Sequence, residues 1–132
     1  MSRREPGRDA SKAADEIRRF NHNSLASGPN WQYPAHSYHA LGSLAYLVRM
    51  LPQAIEQTVR PAMRTYEHGR LLIDGGRDAD EAVRQLQSAL TEALASAQAL
   101  AEAVDRVHSA TSPMGLDTRG MPEFEDDGGV DE

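Results

Sequence analysis

The chain of 132 residues has no cysteine, one tryptophan and two phenylalanines. Without cysteine it can form neither disulfides nor thiolate metal sites, and it has no thiol nucleophile. No apolar run approaches the roughly 20 residues that a transmembrane helix needs. The charged start, residues 1–7, is followed by no apolar stretch of the kind that a secretory signal requires. We therefore expect a cytoplasmic protein that does not enter the membrane.

The formal net charge of −6 is carried by one end of the chain. Residues 117–132 hold seven acidic residues and one basic residue, whereas residues 1–20 hold six basic and four acidic residues. The body between these ends is close to neutral, which disfavours binding to nucleic-acid phosphates. Residues 112–132 have the composition of a disordered acidic tail. Phe124, an apolar residue among the acids, leaves open that the tail is a short motif for a basic partner groove.

Two long apolar stripes at helical spacing are the strongest signal in the chain. Both alternate steps of three and four residues, the seam pattern of packed helices. The first consists of Tyr38, Leu41, Ala45, Val48, Pro52, Ile55, Val59, Ala62 and Tyr66, and the second of Val83, Leu86, Leu90, Ala93, Ala97, Leu100, Val104 and Val107. The glycine turn 74–77 lies between them. The fold class predicted is all-α, an antiparallel helical hairpin of two long helices.

The first long helix of this hairpin contains two prolines. It is expected to begin near Pro34 and to reach about Asp74, with Pro52 and Pro61 inside it. Interior proline removes a hydrogen bond and kinks a helix. Because the stripe keeps its phase across Pro52, a kinked rod is favoured over a split at Leu51 into two segments that fold back.

The second long helix is expected to begin after Asp78, which can cap it with Glu81 in the manner of a capping box. It should end near Ser109 or Thr111, before Pro113. Its seam is rich in alanine, which permits close approach but buries little area. The seam therefore needs a second surface, either the N-terminal helix or another copy of the chain.

A shorter N-terminal helix is indicated by apolar residues at helical spacing between Asp9 and Phe20, ending near Asn21–Asn23. We expect a disordered arm at residues 1–8, one helical bundle domain at 9–111, and the disordered acidic tail at 112–132. Residues 24–33 read as a linker that ends in Trp31 and Tyr33.

The sequence contains no complete catalytic or cofactor-binding motif, so it gives no support for an enzyme. His36 and His39, three residues apart on one helix face, could bind a metal, but no third ligand lies nearby in sequence. Gly75–Gly76 precedes a helix, as in phosphate-binding turns, but the P-loop lysine is missing, and a plain hairpin turn explains it better. We predict no catalytic, cofactor-binding or metal-binding residue and no small-molecule substrate.

Several short motifs occur together along the chain: Ala14–Leu25 with its Asn-His pair, Trp31–Pro34, Tyr38, Leu41–Leu44 and the Leu-Pro-Gln of residues 51–53. Together they resemble a family of small, uncharacterised actinobacterial helical proteins. The resemblance covers roughly residues 10–110 and implies a helical fold with no known activity. The length and the hairpin also resemble the WXG100 class of secreted helical hairpins. That class has Trp-x-Gly in its turn, where this chain has Asp74-Gly75-Gly76-Arg77.

These observations favour a non-enzymatic protein–protein interaction module. We expect it to form a homodimer or to be a subunit of a larger assembly, with Trp31, Tyr38, Tyr66 and Phe124 as partner-binding residues. The alternative is a nucleic-acid-associated regulator that uses the basic N-terminal arm.

Overall fold

A computed structural model describes residues 5–124, in which every regular element is helical. The α-helices are α1 (Pro6–Asn23), α2 (Pro34–Thr58), α3 (Arg60–Glu67) and α4 (Ala79–Thr111), with 3-10 turns at Asp74–Gly76 and Pro122–Phe124. This confirms the all-α class. None of these helices combines the length and the apolar content needed to cross a membrane.

The chain divides into two compact units. The first lies within Met1–Ser37 and Gly115–Glu132, and the second is Tyr38–Met114. The single bundle domain expected at 9–111 stays a prediction. The expected arm and tail extend into residues 1–4 and 125–132, which lie outside the described residues.

Helix α1 begins three residues earlier than predicted. Pro6 occupies one of the first helical positions, where its fixed φ suits the helix and its missing N–H costs nothing. The expectation that all of residues 1–8 precede the helix is therefore wrong for residues 6–8. The helix ends at Asn23, as predicted, with the Ser24 amide donating to the carbonyl of Phe20 at 2.9 Å.

Helices α2 and α3 together replace the predicted kinked rod. Helix α2 begins at Pro34 and continues through Pro52, so the alternative split at Leu51 does not occur. The interruption lies at Val59 instead, and α3 restarts with Pro61 in its first turn. Pro61 has no N–H to bond four residues back and its ring crowds that carbonyl, which explains the break at this proline.

Helix α3 ends at Glu67, not near Asp74 as predicted. Gly69 has φ 71° and closes the helix: its amide donates to the Tyr66 carbonyl at 2.9 Å, and the Arg70 amide donates to Thr65 at 3.0 Å. This is a Schellman termination, which places glycine in the left-handed region. The connection to α4 is therefore longer than the four-residue turn predicted.

Helix α4 begins and ends where the sequence indicates. The Asp78 side chain accepts a hydrogen bond from the Asp80 amide at 3.2 Å, which confirms the N-cap. The reciprocal half of the predicted capping box is replaced, because the Glu81 carboxylate accepts from Arg84 at 2.7 Å. The helix ends at Thr111, before Pro113.

The core of the Tyr38–Met114 unit is made of small side chains. The buried apolar residues of the described chain are Ala45, Val48, Val83, Ala97 and Ala101. No side chain larger than valine is buried there. Since alanine and valine each bury little area, this core supplies only a modest hydrophobic contribution to folding.

The two predicted stripes leave the buried face at their far ends. Leu100 and Val107 were expected in the seam but are 49% and 51% exposed, and Ala101 is buried instead. A strict three–four repeat has a period of 3.5 residues and drifts by about 20° per heptad around a straight helix with 3.6 residues per turn. In α3, which follows the break at Val59, Ala62 is exposed while Met63 is half-buried.

We predict that Gly69→Ala destabilises the protein by about 1–2 kcal/mol, because a Cβ is strained at positive φ. Urea unfolding followed by circular dichroism measures the change. Gly115→Ala is the matched control, since Gly115 has ordinary φ and open space around it. Equal effects of the two substitutions would contradict the assigned helix termination.

Candidate interaction site

Three side-chain contacts join α2 and α3 to α4 within the second unit. The rings of Tyr38 and His108 are stacked with centroids 4.4 Å apart. Arg49 Nη1 lies 3.2 Å from Asp105 Oδ1, and the Tyr66 hydroxyl donates to Asp80 Oδ1 at 2.6 Å. These contacts fix which surfaces of the helices face each other and which remain open.

Gly42 makes room for the histidine of the first contact. A Cβ at this position would lie 3.1 Å from His108 Nε2, tighter than an ordinary contact. Glycine inside a helix costs about 1 kcal/mol relative to alanine. At Gly42 it allows the imidazole ring to lie directly against the backbone of α2.

One side of the α2–α4 pair is a polar groove. It contains three concavities, of about 360 Å³ beside Tyr38 and His108, about 600 Å³ beside Arg49 and Asp105, and about 180 Å³ beside Glu56. The Arg49–Asp105 ion pair lies along it, with both side chains about half exposed. This side therefore carries charged side chains that remain partly exposed.

The opposite side is apolar. At about 100° per residue, Leu44 and Leu51 point roughly 140–160° away from Arg49, and Leu100 lies as far around α4 from Asp105. Ten residues form this apolar face: Ala40, Leu44, Leu47, Leu51, Ile55, Ala93, Ser96, Leu100, Ala103 and Val107.

The apolar face combines a lack of charge with incomplete burial. None of its ten residues is ionisable. The leucines of α2 are half-buried, and Leu100 and Val107 are about half exposed. An exposed apolar surface of this kind, rimmed by polar residues, is typical of a binding surface.

The sequence singled out four aromatic rings as partner contacts, and each has an intramolecular partner. Trp31 Nε1 donates to the Ser24 carbonyl at 2.9 Å, and its ring packs edge-on to Phe20 at 5.8 Å. Phe124, 43% exposed, packs edge-on to Tyr33 at 5.9 Å. Both pairs lie in the first unit, and their partner-binding role stays a prediction.

Tyr38 of α2 and Tyr66 of α3 contact opposite ends of α4. Tyr38 contacts His108 and Tyr66 contacts Asp80, positions that are roughly 42 Å apart along a helix with 1.5 Å rise per residue. They do not form one patch. The apolar face was not identified from the sequence. The drift of a three–four repeat around a straight helix could have revealed it, because that drift moves Leu100 and Val107 out of the seam.

His36 has a structural role. Its Nδ1 accepts hydrogen bonds from the backbone amides of Gln32 and Tyr33, each at 3.0 Å, so that atom is not free to bind a metal. Among residues 5–124, no three histidine or carboxylate side chains converge as a metal site would require.

The basic N-terminal residues are interleaved with acids. Arg18 pairs with Asp15 at 3.1 Å, and Arg19 pairs with Glu16. These exposed pairs reduce the positive potential that phosphate binding depends on. Nucleic-acid binding by this region stays a prediction, and its residues Arg3 and Arg4 lie outside the described part of the chain.

Comparison with known proteins returned no family model, curated protein or solved structure that matches this chain.

We predict that Asp80→Asn lowers the pKa of Tyr66. The Asp80 carboxylate accepts the phenol's hydrogen bond and holds the Tyr66 pKa above its ordinary value of 10.0. Because the raised pKa favours the protonated phenol, the Tyr66–Asp80 hydrogen bond stabilises the folded protein below pH 10. This stabilisation of the folded state is lost as the pH rises through the pKa that Tyr66 has in the folded protein.

Titration of ring-labelled tyrosine by NMR measures this pKa. Asp105→Asn, at the other end of α4, is the control and should leave Tyr66 unchanged. An unaltered Tyr66 pKa in the Asp80 variant would contradict the contact between α3 and α4.

Proposed function

We propose that α2, α3 and α4 form an antiparallel helical hairpin that acts as a non-enzymatic protein–protein interaction module. The order of the contacts supports an antiparallel arrangement. Tyr38 contacts His108, Arg49 contacts Asp105 and Tyr66 contacts Asp80, so residues later in α2 and α3 contact residues earlier in α4. The module associates with a second copy or with other subunits of an assembly, in the cytoplasm, and residues 112–132 serve as its solubilising acidic tail.

The observation that carries this proposal is the mismatch between the core and the apolar face. Five alanine and valine side chains are buried in the described residues, while larger side chains remain half exposed beside them. Two helices can cover only one face of each other, and a stable helical unit covers its apolar surface with a further layer. A helical partner surface on the apolar face would supply that layer.

Photo-crosslinking in the native host tests the proposal. We predict that a benzophenone amino acid at Leu100 gives discrete covalent adducts, because this position lies on the apolar face. The same residue at Ala95, exposed on the other side of α4, is the matched control. Adducts at neither position, or equally at both, would contradict an interaction function of the apolar face.

A further inference from the structure

We propose that the partner of the apolar face is a second copy of this chain, bound face to face about a two-fold axis. This rests on the proposed function and adds the identity of the partner. The resulting dimer would pack the two hairpins face to face in two layers, with the polar groove of each copy facing solvent.

The charge pattern favours self-association through this face. A two-fold axis brings each surface against its own copy, so any net charge on the surface opposes like charge. The apolar face contains no ionisable residue. On the polar groove, the same operation would desolvate the Arg49–Asp105 pair.

The size of the face suits a weak dimer. Residues 40–55 and 93–107 each span roughly 22 Å at 1.5 Å per residue. With helices 8–10 Å apart, the footprint is roughly 400 Å² per copy. The two copies then bury roughly 800 Å² in total, below the range of stable dimers and in the range of weak association. We therefore expect association that depends on concentration in the micromolar range.

Small residues on α4 provide the shape that a second copy needs. Ala93, Ser96 and Ala103 flank Leu100 on the face. Between helices, such gaps accept large side chains of the facing helix as knobs into holes. The leucines of α2 in the second copy are side chains of the size required.

Helix α1 is a poorer occupant of the face. Its apolar stripe consists of three alanines, Ile17 and Phe20, and Phe20 is already packed against Trp31. One isoleucine and three alanines offer little area to cover four α2 side chains and two α4 side chains. A second copy offers an equal set of leucines.

Light scattering on the full chain over a concentration series tests the proposal. We predict that the measured mass of the wild type rises with protein concentration, from 14.5 kDa toward twice that value. The double substitution Leu100→Glu, Val107→Glu should weaken the dimer at least about tenfold, since it buries carboxylates without partners.

The matched control is Ser88→Glu, Ala95→Glu, which adds the same charge at the same spacing on exposed positions away from the face. It should leave the dimer intact, and circular dichroism should show equal helix content in all forms. A wild type that stays monomeric, or a dimer equally strong in both variants, would overturn the proposal.

Cysteine crosslinking gives a second readout that needs no disruptive change, because the chain has no cysteine of its own. Ser96→Cys or Ala103→Cys should give a covalent dimer with a long bifunctional maleimide, because only a cysteine next to the two-fold axis can form a disulfide with its own copy. Ala95→Cys should not. Equal crosslinking of all three would overturn the assigned face. If these tests fail while the Leu100 photo-crosslink captures a different protein, the partner proposal fails and the interaction function stands.

Discussion

The small size of the buried side chains is the constraint on which the second unit depends. The buried residues of the described chain are alanines and valines, in α2 and in α4. The stack of Tyr38 on His108 and the pair of Arg49 with Asp105 join the same two helices at more exposed positions. Because the buried side chains are small, they leave the unit with little buried apolar area. Residue size thus accounts for the incomplete core.

The two sides of the helix pair differ because their residues lie at different angles around straight helices. A three–four repeat does not follow a straight helix for eight turns. Ala101 is therefore buried where Leu100 was expected, and Leu100 lies on the apolar face, where it is about half exposed. The groove side collects the charged and aromatic residues, and the other side collects uncharged ones. This separation is what makes one side a candidate for protein contact.

Much of the fold follows from local sequence signals. Pro34 at the start of α2, Asp78 as the cap of α4 and Pro113 beyond its end each have a local stereochemical effect, and the helices begin and end accordingly. Gly69 was missed as a helix terminator because the predicted helix was continued to the glycine turn at residues 74–77. The overlooked signal was the glycine itself, which adopts the positive φ of this helix end without strain. The break at Val59 depends on Pro61, whose effect on the preceding turn competes with a continuous stripe.

The candidate site was less accessible to sequence reasoning. Aromatic side chains were selected for their size, yet Trp31 and Tyr66 are held by hydrogen bonds within the chain. Which side chains remain uncovered depends on the angle at which two helices meet, and that angle is a tertiary property. His36 likewise has the spacing of a metal ligand, but the loop before α2 uses it to bind two amides.

We infer that the Tyr38–Met114 unit buries too little apolar area by itself and completes its core by association. Its thermal unfolding midpoint should then depend on protein concentration, because association stabilises the folded state by mass action. We expect the midpoint to rise steadily over about a hundredfold increase in concentration. A midpoint that stays constant over that range would show that the core is complete within one chain and that association adds nothing to it.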